Sequence, residues 1–158
     1  MVTCGTLHKQ RFFNTDADLE MVRTVLFDVA AKYKWALDAW SLFPNHYHWV
    51  GHAPEDAETL KSMLQELHSK TAIELNRQDS QPEREVWFQY WDICLTYEKS
   101  YFARLNYVHN NSVKHGFVRV AEDYPFCSAR WFRQNANPSY FRRVCSYGYS
   151  RVNVKDDF

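Results

Sequence analysis

Three rhythms of apolar and polar positions run along the 158 residues. From Asp16 to Tyr33, apolar side chains at Leu19, Val22, Leu26 and Val29 recur at steps of three and four. That spacing places them on one side of an α-helix, with Thr15 or Asp16 as its cap. Ala57 to Asn76 repeats the rhythm through Leu60, Met63, Leu64, Leu67, Thr71 and Leu75, predicting a second long helix with Arg77 to Glu85 as its exit loop. Between and around these helices the pattern changes to runs of β-branched and aromatic residues. Val2 to His8, Trp35 to Phe43 and His46 to His52 read as strands, the last two joined by a turn at Pro44-Asn45. Val86 to Thr96 predicts a further strand or a pair of short ones, and Glu98 to Asn111 a third helix that ends before Ser112.

The order β-α-β-β-α-β-α predicts an α+β fold. Its first six elements follow the ferredoxin-like split βαβ sandwich, in which helices cover an antiparallel sheet, and an additional helix follows toward the C-terminus. The length fits a single domain over 1–158, with a core at about 2–132 and an aromatic, Arg-rich segment over 117–158. With 46% apolar and 17% aromatic residues, a disordered chain is excluded.

No apolar run is long enough for a spanning helix, and the first residues lack a signal-peptide pattern, so a cytoplasmic, nucleoid-associated protein with no membrane partner is expected. Cys4, Cys94, Cys127 and Cys145 are scattered without a C-x-x-C pair, which argues for reduced structural thiols. The net charge of zero hides an asymmetry. Residues 1–100 hold 10 Lys/Arg against 15 Asp/Glu, whereas 101–158 hold 9 against 4. A basic patch at one end can attract phosphates even on a neutral protein.

Two groups of residues carry candidate chemistry. In Pro44-Asn45-His46-Tyr47-His48-Trp49, strand alternation sends His46 and His48 to one face and Tyr47 to the other, so two imidazoles can reach one metal ion or simply pack. In the third helix, Arg104, Tyr107 and Asn111 fall in one sector while Tyr101, Phe102, Leu105 and Val108 form an apolar side. A phenol is a weak nucleophile at neutral pH and a phosphodiester a reluctant electrophile, so a tyrosine next to a divalent cation makes chemical sense. Two His and an amide oxygen suit Mg²⁺ or Mn²⁺, the imidazoles leaning towards Mn²⁺.

Phe43 to Val50, Tyr107 to Val118 and Glu122 to Trp131 together resemble the single-tyrosine HUH transposases of the insertion-sequence-200-like superfamily, and most of all the REP-associated tyrosine transposases. The similarity spans Thr3 to about Phe132. It implies that Tyr107 is the catalytic nucleophile and that His46, His48 and Asn111 bind the metal. It implies a metal-dependent endonuclease and strand transferase of single-stranded or hairpin DNA, in which Tyr107 attacks a phosphate to give a 5′-phosphotyrosine link and a free 3′-hydroxyl. Related enzymes work as dimers that share sites and as monomers. The chain departs from the common pattern at Tyr47, where an aliphatic residue is usual, at Phe43, where Met is frequent, and at Ser112, which replaces a proline.

For the DNA, Arg104, Lys114, Arg130, Arg133, Arg142 and Arg143 are the candidate contacts, interleaved with Trp131, Phe132, Tyr140 and Phe141. His52, His68, His109 and His115 are expected at the surface or in packing. Two other readings compete: a domesticated module that binds repeat DNA without cleaving it, and a hydrolytic metallonuclease for which Tyr107 is dispensable.

Overall fold

In the computed structural model, which describes residues 1–150 and 152–154, four strands form one antiparallel sheet. They are β1 (Val2–Thr6), β2 (Ala36–Phe43), β3 (His46–His52) and β4 (Trp87–Asp92), in the order β2-β3-β1-β4. That is the order of the split βαβ sandwich, and the region Val86 to Thr96 supplies one strand rather than two. Positions 151 and 155–158 of the expected basic segment lie outside the described residues.

Helices α1 (Asp16–Lys32) and α2 (Thr59–Gln78) pack on one face of the sheet. Thr15 starts α1 through a capping box: its hydroxyl accepts from the Asp18 amide, and the Asp18 carboxylate accepts from the Thr15 amide. Such caps contribute about 1 kcal/mol. Leu19, Val22 and Leu26 of α1 and Met63, Leu64 and Leu67 of α2 meet Val2, Cys4, Leu42, Tyr47 and Trp49 of the sheet. The three- and four-residue steps of the sequence thus become one core layer. At its rim Trp87 Nε1 donates to Thr71 Oγ1 at 2.8 Å, tying β4 to α2.

On the other face lies α3 (Glu98–Lys114), with Phe102, Leu105, Tyr107 and Val108 packed on Met1, Ala39 and Val50. This helix differs from its predicted form in two respects. It runs past Asn111 through Ser112 to Lys114, because serine, unlike proline, leaves the preceding residue free to stay helical. Gly116, at φ +72°, ends it. The polar sector also faces protein rather than solvent: Tyr107 is 1% exposed and Asn111 fully buried. Helices α4 (Ala129–Asn135) and α5 (Pro138–Cys145) complete this layer through Phe132 and Val144.

The free edge of β2 is covered by the segment leading into α4. Leu42 N donates to Phe126 O at 2.9 Å, Ser128 N to Trp40 O at 2.9 Å, and Trp40 N to Ser128 Oγ at 2.9 Å. On the inner side, β2 and β3 approach so closely at their bulge that a side chain on Gly51 would lie 2.4 Å from Ala36 O. Glycine is therefore required there. All four cysteines are free thiols, Cys4 and Cys127 buried, Cys94 and Cys145 exposed. Among the described residues no helix is long and apolar enough to cross a membrane.

Candidate functional site

Strand alternation sorts β3 as its sequence requires. Tyr47 and Trp49 enter the α1/α2 core, and His46, His48 and Val50 turn toward α3. The two imidazole centroids lie 5.2 Å apart. Tyr47, polar where an aliphatic residue is usual, is accommodated because its hydroxyl meets His68 Nε2 at 2.8 Å while its ring packs on Trp87.

Each imidazole is oriented by a hydrogen bond at Nδ1. His48 Nδ1 is 2.8 Å from Thr3 Oγ1 on the neighbouring strand, and His46 Nδ1 is 2.9 Å from Asn45 Oδ1. The first contact follows from the β1–β3 register, which sets Thr3 directly opposite His48. Both rings are buried, and His46 is further fixed by stacking on Phe43 at 4.5 Å.

The tyrosine of α3 reaches the same place. The rings of His48 and Tyr107 meet nearly perpendicular with centroids 5.4 Å apart. Lys114, two turns along α3, donates to the Tyr107 hydroxyl at 3.4 Å and stands 5.0 Å from the centre of its ring. Asn111 lies between them in sequence, one turn beyond Tyr107 on the same side of the helix.

Two participants are not evident from the sequence pattern. Thr3 orients His48 from another strand, and only the strand register could have revealed it. His115 caps α3 with its ring 4.8 Å from His46, because the helix extends one turn further than its pattern predicts. The other histidines do pack or pair: His68 stacks on Trp87, His109 stacks on Phe132, and His52 pairs with Asp38 at 2.8 Å. Burial pushes His68 down to about 4 and His109 down to about 3.

The donor set fits a divalent cation. With Nδ1 of both imidazoles engaged, Nε2 is the nitrogen that would take a metal, the arrangement in which an outer partner sets ring orientation and basicity. Among the described residues no group of three His, Cys, Asp or Glu side chains is placed to hold a metal ion by itself. An ion here would therefore rest on two imidazoles and neutral oxygen donors, a set that leaves coordination positions for other ligands.

The candidate DNA contacts divide. Arg104 hydrogen-bonds Ser100 and is half-buried, and Arg143 pairs with Glu98 at 2.7 Å while lying over the Phe102 ring. Arg143 thus ties α5 to α3, whereas the Arg104 contact stays within α3. Arg130 donates to Glu122 O, Arg133 lies over Phe141, and Arg142 is exposed on α5.

The family described as IS200-like transposase matches residues 2–115. The chain is 24% identical over 108 residues to the REP-associated tyrosine transposase of Escherichia coli K12, covering 68% of this chain and 62% of that one. It is 28% identical over 97 residues to a putative REP-associated tyrosine transposase of Haemophilus influenzae, covering 55% and 54%. The chain thus aligns with between about half and two thirds of the length of these relatives. Its fold is similar to a solved REP-associated tyrosine transposase bound to a REP hairpin, with a TM-score of 0.70 at 20% identity over 85% of this chain and 78% of that one. The family match spans well over half of the chain, and this chain belongs to the IS200-like transposase family.

Proposed function

We propose that the chain is a metal-dependent strand transferase of hairpin-bearing single-stranded DNA, with Tyr107 as nucleophile and His46, His48 and Asn111 holding Mg²⁺ or Mn²⁺. The observation that carries this reading is the convergence, in a buried setting, of the Tyr107 phenol with His48 on one side and the Lys114 ammonium on the other. A bound cation would supply polarisation of the scissile phosphate and offset its developing charge.

The chain's own groups do the rest. Lys114 lowers the cost of an anionic Tyr107 oxygen, and Thr3 and Asn45 keep both imidazoles aimed. The Tyr107 oxygen forms a bond to phosphorus as the bond from phosphorus to the 3′-oxygen breaks. The proton that Tyr107 gives up ends, through solvent, on the departing oxygen, which becomes a free 3′-hydroxyl and leaves the downstream strand on Tyr107 through its 5′-phosphate. Attack by a 3′-hydroxyl on that link reverses the step and rejoins strands. The hairpin preference is carried over from the structural relative, whose own complex is with a REP hairpin.

The burial of Tyr107 favours one competing reading, a module that binds repeat DNA without cutting it. At 1% exposure the phenol meets a phosphate only after its cover moves aside. Peptide mass spectrometry after incubation with a hairpin oligonucleotide pool and Mn²⁺ separates the two. A nucleotide mass on the peptide containing Tyr107 supports the transferase; unmodified peptide alongside bound DNA selects the module.

A further inference from the structure

The segment that joins β1 to α1 is built around the same turn that carries His46. Thr6 N donates to Asn45 O at 2.8 Å where the segment begins, Phe13 N to Pro44 O at 3.0 Å toward its end, and Asn45 Nδ2 to Lys9 O at 3.2 Å in between. Asn45 thus holds the segment with its amide nitrogen and the His46 imidazole with its amide oxygen. Between these clamps His8 and Lys9 lie in the left-handed region, at φ +55° and +58°, although neither is glycine. Such a conformation brings Cβ close to the following carbonyl oxygen, so it persists only where the surroundings impose it. Segments held in this way cluster at ligand-binding sites.

The composition of the segment indicates which ligand. Residues 1–15 contain Lys9 and Arg11 but no Asp or Glu, and the nearest acidic residue along the chain is Asp16 at the start of α1. Residues 8–11 are all exposed. The Arg11 guanidinium stands 5.7 Å from the centre of the Phe117 ring. Phe117 lies 5.2 Å from Phe43, which in turn stacks on His46. Arg11 therefore borders the metal-site histidine from the β1 side, as Lys114 borders Tyr107 from the α3 side. A guanidinium lying over a ring can still present its N–H edge to an oxyanion, and arginine suits phosphate in particular.

We infer that Arg11 grips a backbone phosphate of the DNA strand close to the scissile one, and that Asn45 braces this contact against the metal site. The inference rests on the DNA-transferase reading and adds to it a positioning contact that the charge asymmetry of the sequence, with its excess of basic residues over 101–158, does not reveal. One side chain fixes both the segment that bears Arg11 and the imidazole of His46. The held phosphate is thereby set at a constant distance from His46, and this distance selects which phosphodiester is presented to Tyr107.

Binding is measured by fluorescence anisotropy in the Tyr107→Phe background with chelator, so that neither cleavage nor a metal-held phosphate contributes. The probe is a fluorescein-labelled pool of DNA hairpins with single-stranded flanks. Arg11→Gln keeps an apolar stem against Phe117 and removes the charge. It should weaken binding about tenfold, by the same factor for flanks of different sequence, and lower the salt slope by about one. One methylphosphonate linkage, moved stepwise along the flank, should make the Arg11→Gln substitution silent at a single position. Without metal, Asn45→Ala acts on DNA only through the segment it braces. It should therefore weaken binding when Arg11 is present and add nothing to Arg11→Gln, a non-additivity that two independent surface changes would not show. Unchanged affinity and salt slope in Arg11→Gln overturn the inference, and an equal effect of Asn45→Ala in both backgrounds overturns the brace. Absence of hairpin binding by the parent protein would overturn the DNA reading itself, whereas hairpin binding and Tyr107 adducts that ignore Arg11→Gln would overturn this contact alone.

Discussion

The rings of His48 and Tyr107 stand 5.4 Å apart and almost perpendicular, joining strand β3 to helix α3 at the centre of the buried site. This contact is made by the aromatic body of the tyrosine, and the reactive oxygen is directed instead at Lys114. Tyr107→Phe should therefore keep the packing and lose only the hydroxyl. Its unfolding free energy should lie within about 1.5 kcal/mol of the parent in urea titration. A loss of several kcal/mol would show the hydroxyl to be a structural anchor.

The Thr3–His48 hydrogen bond gives a second test. Thr3→Val preserves shape and removes the partner that orients the imidazole. Partners of this kind typically alter metal affinity by about 10- to 100-fold. Calorimetric titration with Mn²⁺ should show a loss in that range, and unchanged affinity would mean that His48 needs no orienting group or binds no metal.

Acid should destabilise the fold through its buried imidazoles. Burial pushes His68 down from 6.5 to about 4, so between those values the unfolded chain binds more protons than the folded one. Stability is complete above pH 6.5 and falls as the pH is lowered through that window, by up to about 3 kcal/mol at pH 4 from this residue alone. His68→Gln, which can still meet the Tyr47 hydroxyl, should remove this residue's share of the slope and so flatten the dependence between pH 4 and 6.5. An unchanged pH profile would contradict the assignment.

The α1/α2 core should respond as a close-packed interior. Leu67 is fully buried between α2 and the sheet, and Leu67→Ala should cost about 2 to 5 kcal/mol. Thermal or urea unfolding measures it directly, and a cost below 1 kcal/mol would indicate a loosely packed layer.

How much of this was legible beforehand differed by element. The helices α1 and α2 were readable because each has one apolar stripe facing one partner, the sheet. Strand β3 was readable because its alternation separates His46 and His48 from Tyr47 and Trp49. Helix α3 was harder to read, since it is packed on nearly every side and a polar sector facing protein looks the same in sequence as one facing water. Its end was misplaced at Asn111 for a related reason: nothing in Ser112-Val113-Lys114 forbids helix, and Gly116 is the real stop. Thr3 escaped notice because its role depends on register with a strand more than forty residues away.

The most direct test of the central claim is a denaturing gel of the protein incubated with a 3′-labelled single-stranded hairpin pool, with Mn²⁺ or with chelator. The expected result is a labelled covalent band that needs the metal and is absent from Tyr107→Phe. Cleaved DNA with no covalent band, or a band that persists in Tyr107→Phe, would contradict the assignment of Tyr107 as the nucleophile.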